Sequence, residues 1–211
     1  MTAAGSSVPL EREVKLQVGK DFELPDLDGV AELHAADRGV RVLEATYWDT
    51  DALDLFRLGY GMRYRITDGA AGTWTVKGNT TNDGPALVRE ETDINGEPDH
   101  PPDAAVRLIS GGVDASRLQP VASLRTERHI VDLLDAGGPR WAEVADDRVD
   151  VLDGTRVVTT FREVEVELKG SSDEKRLSTV IERLREAGAE QLAATSKYMR
   201  ALRALGRALP T

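Results

Sequence analysis

The chain has 211 residues, of which 40% are hydrophobic and 30% charged, with a formal net charge of −10 and no cysteine. That length suits one generous domain or two small ones. The missing cysteine excludes a disulfide scaffold, a cysteine-ligated zinc site and a thiol nucleophile, and the acidic balance argues against non-specific nucleic-acid binding, which needs a basic face.

Met1 to Leu10 carries no basic residue and no apolar core. It reads as a short disordered lead-in rather than a secretory signal. No apolar run approaches the roughly 18 residues of a membrane-spanning helix. A cytoplasmic protein with no membrane or nucleic-acid partner is therefore expected.

In chain order, period-2 alternation predicts strands over Glu11–Val18, Val40–Trp48, Gly59–Ile66, Gly72–Lys77, Ala86–Ile94, Val121–Leu134, Arg140–Asp146 and Val157–Leu168. Asp68-Gly69, Gly78-Asn79, Asp83-Gly84, Asn95-Gly96 and Asp153-Gly154 are tight-turn dipeptides between antiparallel strands. Helices are expected over Asp26–Ala36, Asp103–Ser110, from Ser172 or Asp173 to Ala187, and over Ser196–Leu205. Glu97–Pro102 is the best candidate for a break between two halves. Many strands and few helices make the class α+β, with the sheet expected to close.

Several strands carry a charged face too specific for plain solvation. Glu11, Glu13 and Lys15 oppose Val14 and Leu16; Arg63 and Arg65 oppose Met62 and Tyr64; Lys77 follows Thr73 and Thr75 opposite Trp74 and Val76. Arg89, Glu91 and Asp93 share a face, and so do Glu163, Glu165 and Glu167. Either a sandwich has one wet face per sheet, or a wide barrel has a polar lumen and a covered outside. Charge segregation favours the barrel. Three carboxylates in a row repel one another unless a cation sits among them, and the paired arginines need an anion.

A triphosphate needs donors along its length, which the forked guanidinium of Arg supplies. Clustered carboxylates repel it and make sense only as a seat for a divalent ion. The histidines His34, His100 and His129 are scattered, so a metal site would rest on carboxylates, which suit Mg²⁺, Mn²⁺ or Ca²⁺. The basic set is Lys15, Arg63, Arg65, Lys77, Arg89, Arg128 and Lys197; the acidic set is Glu11, Glu13, Glu91, Asp147, Glu163, Glu165 and Glu167. One cavity with both sides suits metal-assisted phosphoryl transfer. Trp74 and Trp141 read as packing, and no Ser–His or Cys–His arrangement is visible, so water is the expected nucleophile.

Glu11-Arg-Glu13-Val-Lys15 on an opening strand resembles the ExExK motif of the CYTH domain, or triphosphate tunnel metalloenzyme, family. Further segments resemble the family in order. They are Tyr47-Trp-Asp49-Thr, Arg63-Tyr-Arg65, Trp74-Thr-Val-Lys77, Arg89-Glu-Glu91, Leu124 to Arg128, Glu143 to Asp147, Glu163-Val-Glu165-Val-Glu167 and Ser196-Lys197-Tyr. The resemblance implies one domain over residues 8–207, after a lead-in over 1–7, built as an eight-stranded antiparallel tunnel barrel with a few flanking helices. It also implies a triphosphatase using Mg²⁺ or Mn²⁺, with up to two ions.

By carry-over, Arg63, Arg65, Lys77, Arg89, Arg128 and Lys197 grip phosphates, and Glu11, Glu13, Glu163, Glu165 and Glu167 hold metal. Lys15 contacts phosphate or orients Glu13. The catalytic set is Glu11, Glu13, Lys15, Lys77 and Asp147. Where the family often has Lys-x-Arg this chain has Thr126-x-Arg128, and alternation points Arg125 outward. The stretch before Glu11 lacks the His-Phe pair of class IV adenylate cyclases, which argues against the cyclase alternative. No base-recognition pocket is legible, which favours inorganic triphosphate over a nucleoside triphosphate, with thiamine triphosphatase as a further alternative. The full carboxylate set favours catalysis over a binding-only module. The ending Ser196–Leu205 resembles CYTH domains joined to a CHAD domain, so a linked or associated CHAD domain is an implied partner.

Overall fold

The computed structural model describes residues 10–84, 86–169, 173–191 and 195–210. The expected lead-in over 1–7 lies outside them. Alternating residues build β1 (Leu10–Gln17), β2 (His34–Asp49), β3 (Gly61–Thr67), β4 (Thr73–Asp83), β5 (Ala86–Ile94), β6 (Gln119–Leu134), β7 (Arg140–Asp153) and β8 (Arg156–Leu168). These pair antiparallel in the order β5-β4-β3-β2-β6-β7-β8-β1, and β1 closes the ring on β5 through Leu10↔Glu90 to Glu13↔Leu87. A short β9 (Glu190–Gln191) adds to the end of β1 at Leu16 and Gln17. The sheet is thus the closed eight-stranded antiparallel barrel that charge segregation favoured and the family resemblance implied.

The flanking helices are α1 (Asp54–Arg57), α2 (Asp103–Val106), α3 (Glu174–Glu186) and α4 (Lys197–Ala204). On the outside, α3 lays Leu177, Val180, Ile181 and Leu184 over Val14, Leu16, Val144, Val164 and Val166. A second cluster places Leu55, Ala105, Ile109 and Leu118 over Trp48, Met62, Trp74 and Val76. Each buried aliphatic or aromatic side chain contributes roughly 1.5–3 kcal/mol. Burying both covers lets the opposite face of the same strands stay ionic. α4 does something different. Its Tyr198, Ala201 and Leu202 pack on Ala45, Tyr47, Ala122, Leu124, Val149 and Val151, which share the inward face with Arg63, Arg65 and Arg128. The lumen therefore has an apolar zone filled by α4 and an ionic zone beyond it. Among the described residues no helix is long and apolar enough to cross a membrane.

Three expectations are corrected. Asp26–Ala36 is not a helix. Only a single turn forms at Val30–Glu32, because Gly29, Ala31 and Glu32 adopt positive φ of 75°, 55° and 62°. Asp28 then accepts from the Ala35 amide at 3.0 Å and draws the chain into β2. The expected helix to Ser110 stops at Val106, where the chain tightens into three-residue turns ended by Gly111 and Gly112 at φ 101° and 71°. Gly78-Asn79 is a bulge inside β4, between Lys77 and Thr80, and not a turn. The bulge seats the Asn79 amide on Gly59, where a Cβ would lie 1.7 Å from Asn79 Oδ1.

Candidate active site in the barrel lumen

Cross-strand register sets the site. Glu11, Glu13 and Lys15 alternate with the buried Val14 and Leu16 on β1, so the ionic residues face inward. Arg89 of β5 pairs with Glu11, and Lys77 of β4 pairs with Glu91. On the other side of β1, Glu167 lies opposite Glu13 and Glu165 opposite Lys15. Glu143 flanks Glu167 on β7, and Arg128, Asp147 and Glu163 stand in a row across β6, β7 and β8. A cavity of about 680 Å³ is lined by Glu11, Lys15, Arg63, Arg65, Lys77, Arg89, Glu91, Arg128, Glu165, Glu167 and Lys197. Glu13, Asp147 and Glu163 are sealed behind that lining, at 2%, 0% and 0% exposure. The strands thus bring all the expected ionic residues into one interior, with these three set behind the cavity wall.

The carboxylates are matched by cations within the barrel. Glu11 accepts from Lys77 at 2.9 Å and Arg89 at 2.6 Å. Glu13 takes Arg89 at 2.5 Å and Lys15 at 3.0 Å. Glu91 pairs with Lys77 at 2.5 Å. Glu165 holds Lys15, together with Lys197 at 2.7 Å and Arg128 at 2.8 Å. Asp147 binds Arg128 through both oxygens at 2.7 and 2.6 Å. Glu163 takes Lys197 at 2.6 Å and Arg200 at 3.0 Å. Burial alone would raise the Glu11 and Glu165 carboxyls, yet Lys77 and Arg89 hold the first far below the usual carboxylate range, and Lys15, Lys197 and Arg128 do the same to the second. Both are anions at neutral pH.

Two arginines are less closely paired. Arg63 comes no nearer to a described carboxylate than 3.8 Å, at Glu91, and its buried Nε has no partner among the described residues. Burial there is nonetheless outweighed by Tyr47, Glu91 and Glu11, which hold its guanidinium protonated. The Arg65 guanidinium makes no hydrogen bond or ion pair with a described residue. The neighbouring Arg63 charge, then burial, then Arg128 push it down to about 10. A guanidinium surrendering its proton that readily signals positive charge in excess of its local counter-charge. The lumen therefore has a self-neutralised wall on β1, β5 and β8, and a cationic wall on β3 where Arg65 carries charge beyond its counter-charge. An anion with several oxygens fits the second wall. Glu11, Glu13, Glu165 and Glu167 give the first wall the hard oxygen donors that Mg²⁺ or Mn²⁺ prefer. Among the described residues, the oxygens of Asp147, Glu163 and Glu165 also converge within 4.8 Å.

Residues 9–202 match the family model of the CYTH domain. The chain belongs to the CYTH domain family. Two Mycobacterium tuberculosis proteins, from two strains and both described as uncharacterized, are each 30% identical to it over 208 residues. The match takes in 92% of this chain but spans only 40% of the length of those relatives. Among solved structures, one from Hippeastrum, proposed as an adenylyl cyclase and reported to have a dominant triphosphatase activity, aligns with TM-score 0.61 at 18% identity. That alignment covers 95% of this chain and 98% of that one. A proposed adenylate cyclase from Bacillus halodurans aligns with TM-score 0.56 at 17% identity, covering 89% and 95%. At such identities the likeness shows the shared fold.

Several residues of this CYTH domain escaped the reading of its strands. Glu143 lies beside Glu167 and lines the cavity, paired with Arg140 at 3.0 Å. Its parity with Asp147 on β7 was the available signal. Lys169 bonds Glu167 at 2.5 Å. Burial nonetheless leaves the Glu167 carboxyl raised, with nearby Glu11 and Glu143 adding to the effect. Arg200 lies over the Phe161 ring at 3.6 Å while pairing with Glu163. Asp49, fully buried, accepts from the Thr50, Leu55 and Phe56 amides at 2.7, 2.8 and 3.0 Å and from the Tyr198 hydroxyl at 2.9 Å. Its carboxylate ties α1 to α4, which accounts physically for the Tyr47-Trp-Asp49-Thr segment. Arg125 points outward, opposite Asp150 and Glu44.

Proposed function

We propose that this CYTH domain, over residues 8–207, hydrolyses a triphosphate held in the lumen, with inorganic triphosphate giving pyrophosphate and phosphate. The observation that carries the reading is the surplus charge of Arg65 beside Arg63, in an interior whose other ions are largely matched. Arg63, Arg65 and Arg128 bind terminal phosphate oxygens through forked N–H donors. Lys77 and Arg89, already fixed on Glu11 and Glu13, present the facing donors. Lys15 and Asp147 hold Glu165 and Arg128 in place. Mg²⁺ or Mn²⁺, one or two ions on Glu11, Glu13 and Glu167, would neutralise phosphate charge and favour attack by water. The water oxygen bonds to the terminal phosphorus, the anhydride P–O bond breaks with its electron pair staying on pyrophosphate, and the water proton passes to bulk. A cytoplasmic setting and a linked or associated CHAD domain are part of the same proposal.

A triphosphate bearing an organic group is the second reading. It draws on Phe56 and Tyr60, half-buried aromatics in the cavity lining. The test is phosphate release from inorganic triphosphate, ATP and thiamine triphosphate side by side, with Mg²⁺, Mn²⁺ or chelator, scoring cyclic AMP in the ATP tubes. Metal-dependent release, fastest from inorganic triphosphate, is expected. No release from any of them, or release unaffected by chelation, sinks the proposal.

A further inference from the structure

We propose that Lys197 is a built-in cation whose ammonium fills the carboxylate site of Asp147, Glu163 and Glu165 and keeps divalent ions out of it. Those three side chains are the one group of acids among the described residues whose oxygens converge as closely as a metal site requires. Lys197 Nζ lies 2.9 Å from Asp147 Oδ2, 2.6 Å from Glu163 Oε1 and 2.7 Å from Glu165 Oε1. The ammonium donates hydrogen bonds to Glu163 and Glu165 and forms an ion pair with Asp147, so all three acids face the one cation. The remaining oxygens are also taken. Arg128 bonds both oxygens of Asp147 and Glu165 Oε2, and Arg200 bonds Glu163 Oε2. With Lys15 on Glu165 as well, three carboxylates already face four cations. A divalent ion arriving there would meet repulsion at contact distance in a poorly screened interior.

The lysine is placed there by the docking of its own helix. Ser196 caps α4 by accepting from the Met199 amide at 3.1 Å. Tyr198 stacks flat on Tyr47 at 4.8 Å and donates to Asp49, and Ala201 and Leu202 are fully buried. Docking of α4 fixes the backbone from which the ammonium reaches, and the two hydrogen bonds and the ion pair hold its tip among the acids. Glu167, opposite Glu13, has only Lys169 as an ion-pair partner among the described residues, so the ion of the proposed function is left to Glu167 with Glu13 and Glu11. Lys197 thereby trades the phosphate-gripping role expected of it for a structural charge, and the lumen takes fewer ions than its acids suggest.

The inference rests on the reading that the lumen takes a divalent ion, but its test uses Mn²⁺ alone, without substrate. Free Mn²⁺ is titrated by electron paramagnetic resonance into the unsubstituted chain and into Lys197→Gln, with circular dichroism confirming the fold of each. Lys197→Gln is expected to bind one more Mn²⁺ per chain. Equal stoichiometry and affinity in the two overturn the proposal. Should Lys197→Gln not hold its fold, Glu163→Gln in the otherwise unsubstituted chain decides. Mn²⁺ affinity within about twofold agrees with Glu163 serving Lys197, and a tenfold or greater loss makes Glu163 a metal ligand and overturns it. A chain that binds no Mn²⁺ at all, while Lys197→Gln gains an ion, removes the metal from the proposed function and leaves the role of Lys197 standing.

Discussion

Arg65 carries a proton under protest. Its pKa is lowered from the ordinary 12.5 to about 10 by Arg63, burial and Arg128. A base with a depressed folded-state pKa binds its proton more weakly when folded. Stability therefore rises with pH between about 10 and 12.5, and at neutral pH the charged form weakens the fold. Arg65→Met keeps much of the stem and removes the charge. It should raise the urea midpoint at pH 7 slightly, while kcat/KM for inorganic triphosphate falls by at least about a hundredfold, because phosphate charge is left unpaired. Higher stability with lost activity is the signature of a strained functional group. A variant that loses both stability and activity in proportion would make Arg65 a structural residue.

At the scale of elements, α3 and α4 separate fold from chemistry. Asp173 caps α3 by accepting from the Lys175 and Arg176 amides at 3.0 and 3.1 Å. Asp173→Ala should cost about 1 kcal/mol in urea unfolding and leave kcat unchanged, since α3 touches only the outer face of the barrel. Leu202→Ala should cost roughly 2–5 kcal/mol by cavity formation. It should also lower kcat in the fraction that remains folded, because loosening α4 frees the ammonium among Asp147, Glu163 and Glu165. The strands were legible because inward ions alternate with outward aliphatics, as Glu13, Lys15, Val14 and Leu16 do on β1. Closure itself was legible from charge segregation and the family resemblance, but its partners were not, since no local pattern pairs Glu11 with Arg89 across 78 positions. Leu27, Val30 and Leu33 imitate a helical stripe, but Gly29 and the reach of Asp28 to Ala35 defeat it. For Lys197 the chain showed a basic residue on a helix. That its neighbours are three acids, and not the substrate, depends on where α4 docks, a tertiary fact with no local signal.

For the molecule as a whole, ion pairing inside the barrel puts the formal charge of −10 mainly on the outside. Glu11, Glu13, Glu91, Asp147, Glu163, Glu165 and Glu167 each have a lumen cation at bonding distance, whereas Asp21, Glu23 and Glu32 stand exposed at the surface. An anionic substrate thus approaches through a field of its own sign before it reaches Arg63 and Arg65. Phosphate-handling proteins with basic faces lose association rate as salt is added; this one should do the reverse. Raising KCl from about 10 to 150 mM shortens the screening length from roughly 30 to 8 Å. At fixed free Mn²⁺, kcat/KM should climb several-fold over that range before it levels off. Its outer charge then acts as a toll on multiply charged anions, lightest for those already carrying a divalent ion when they arrive.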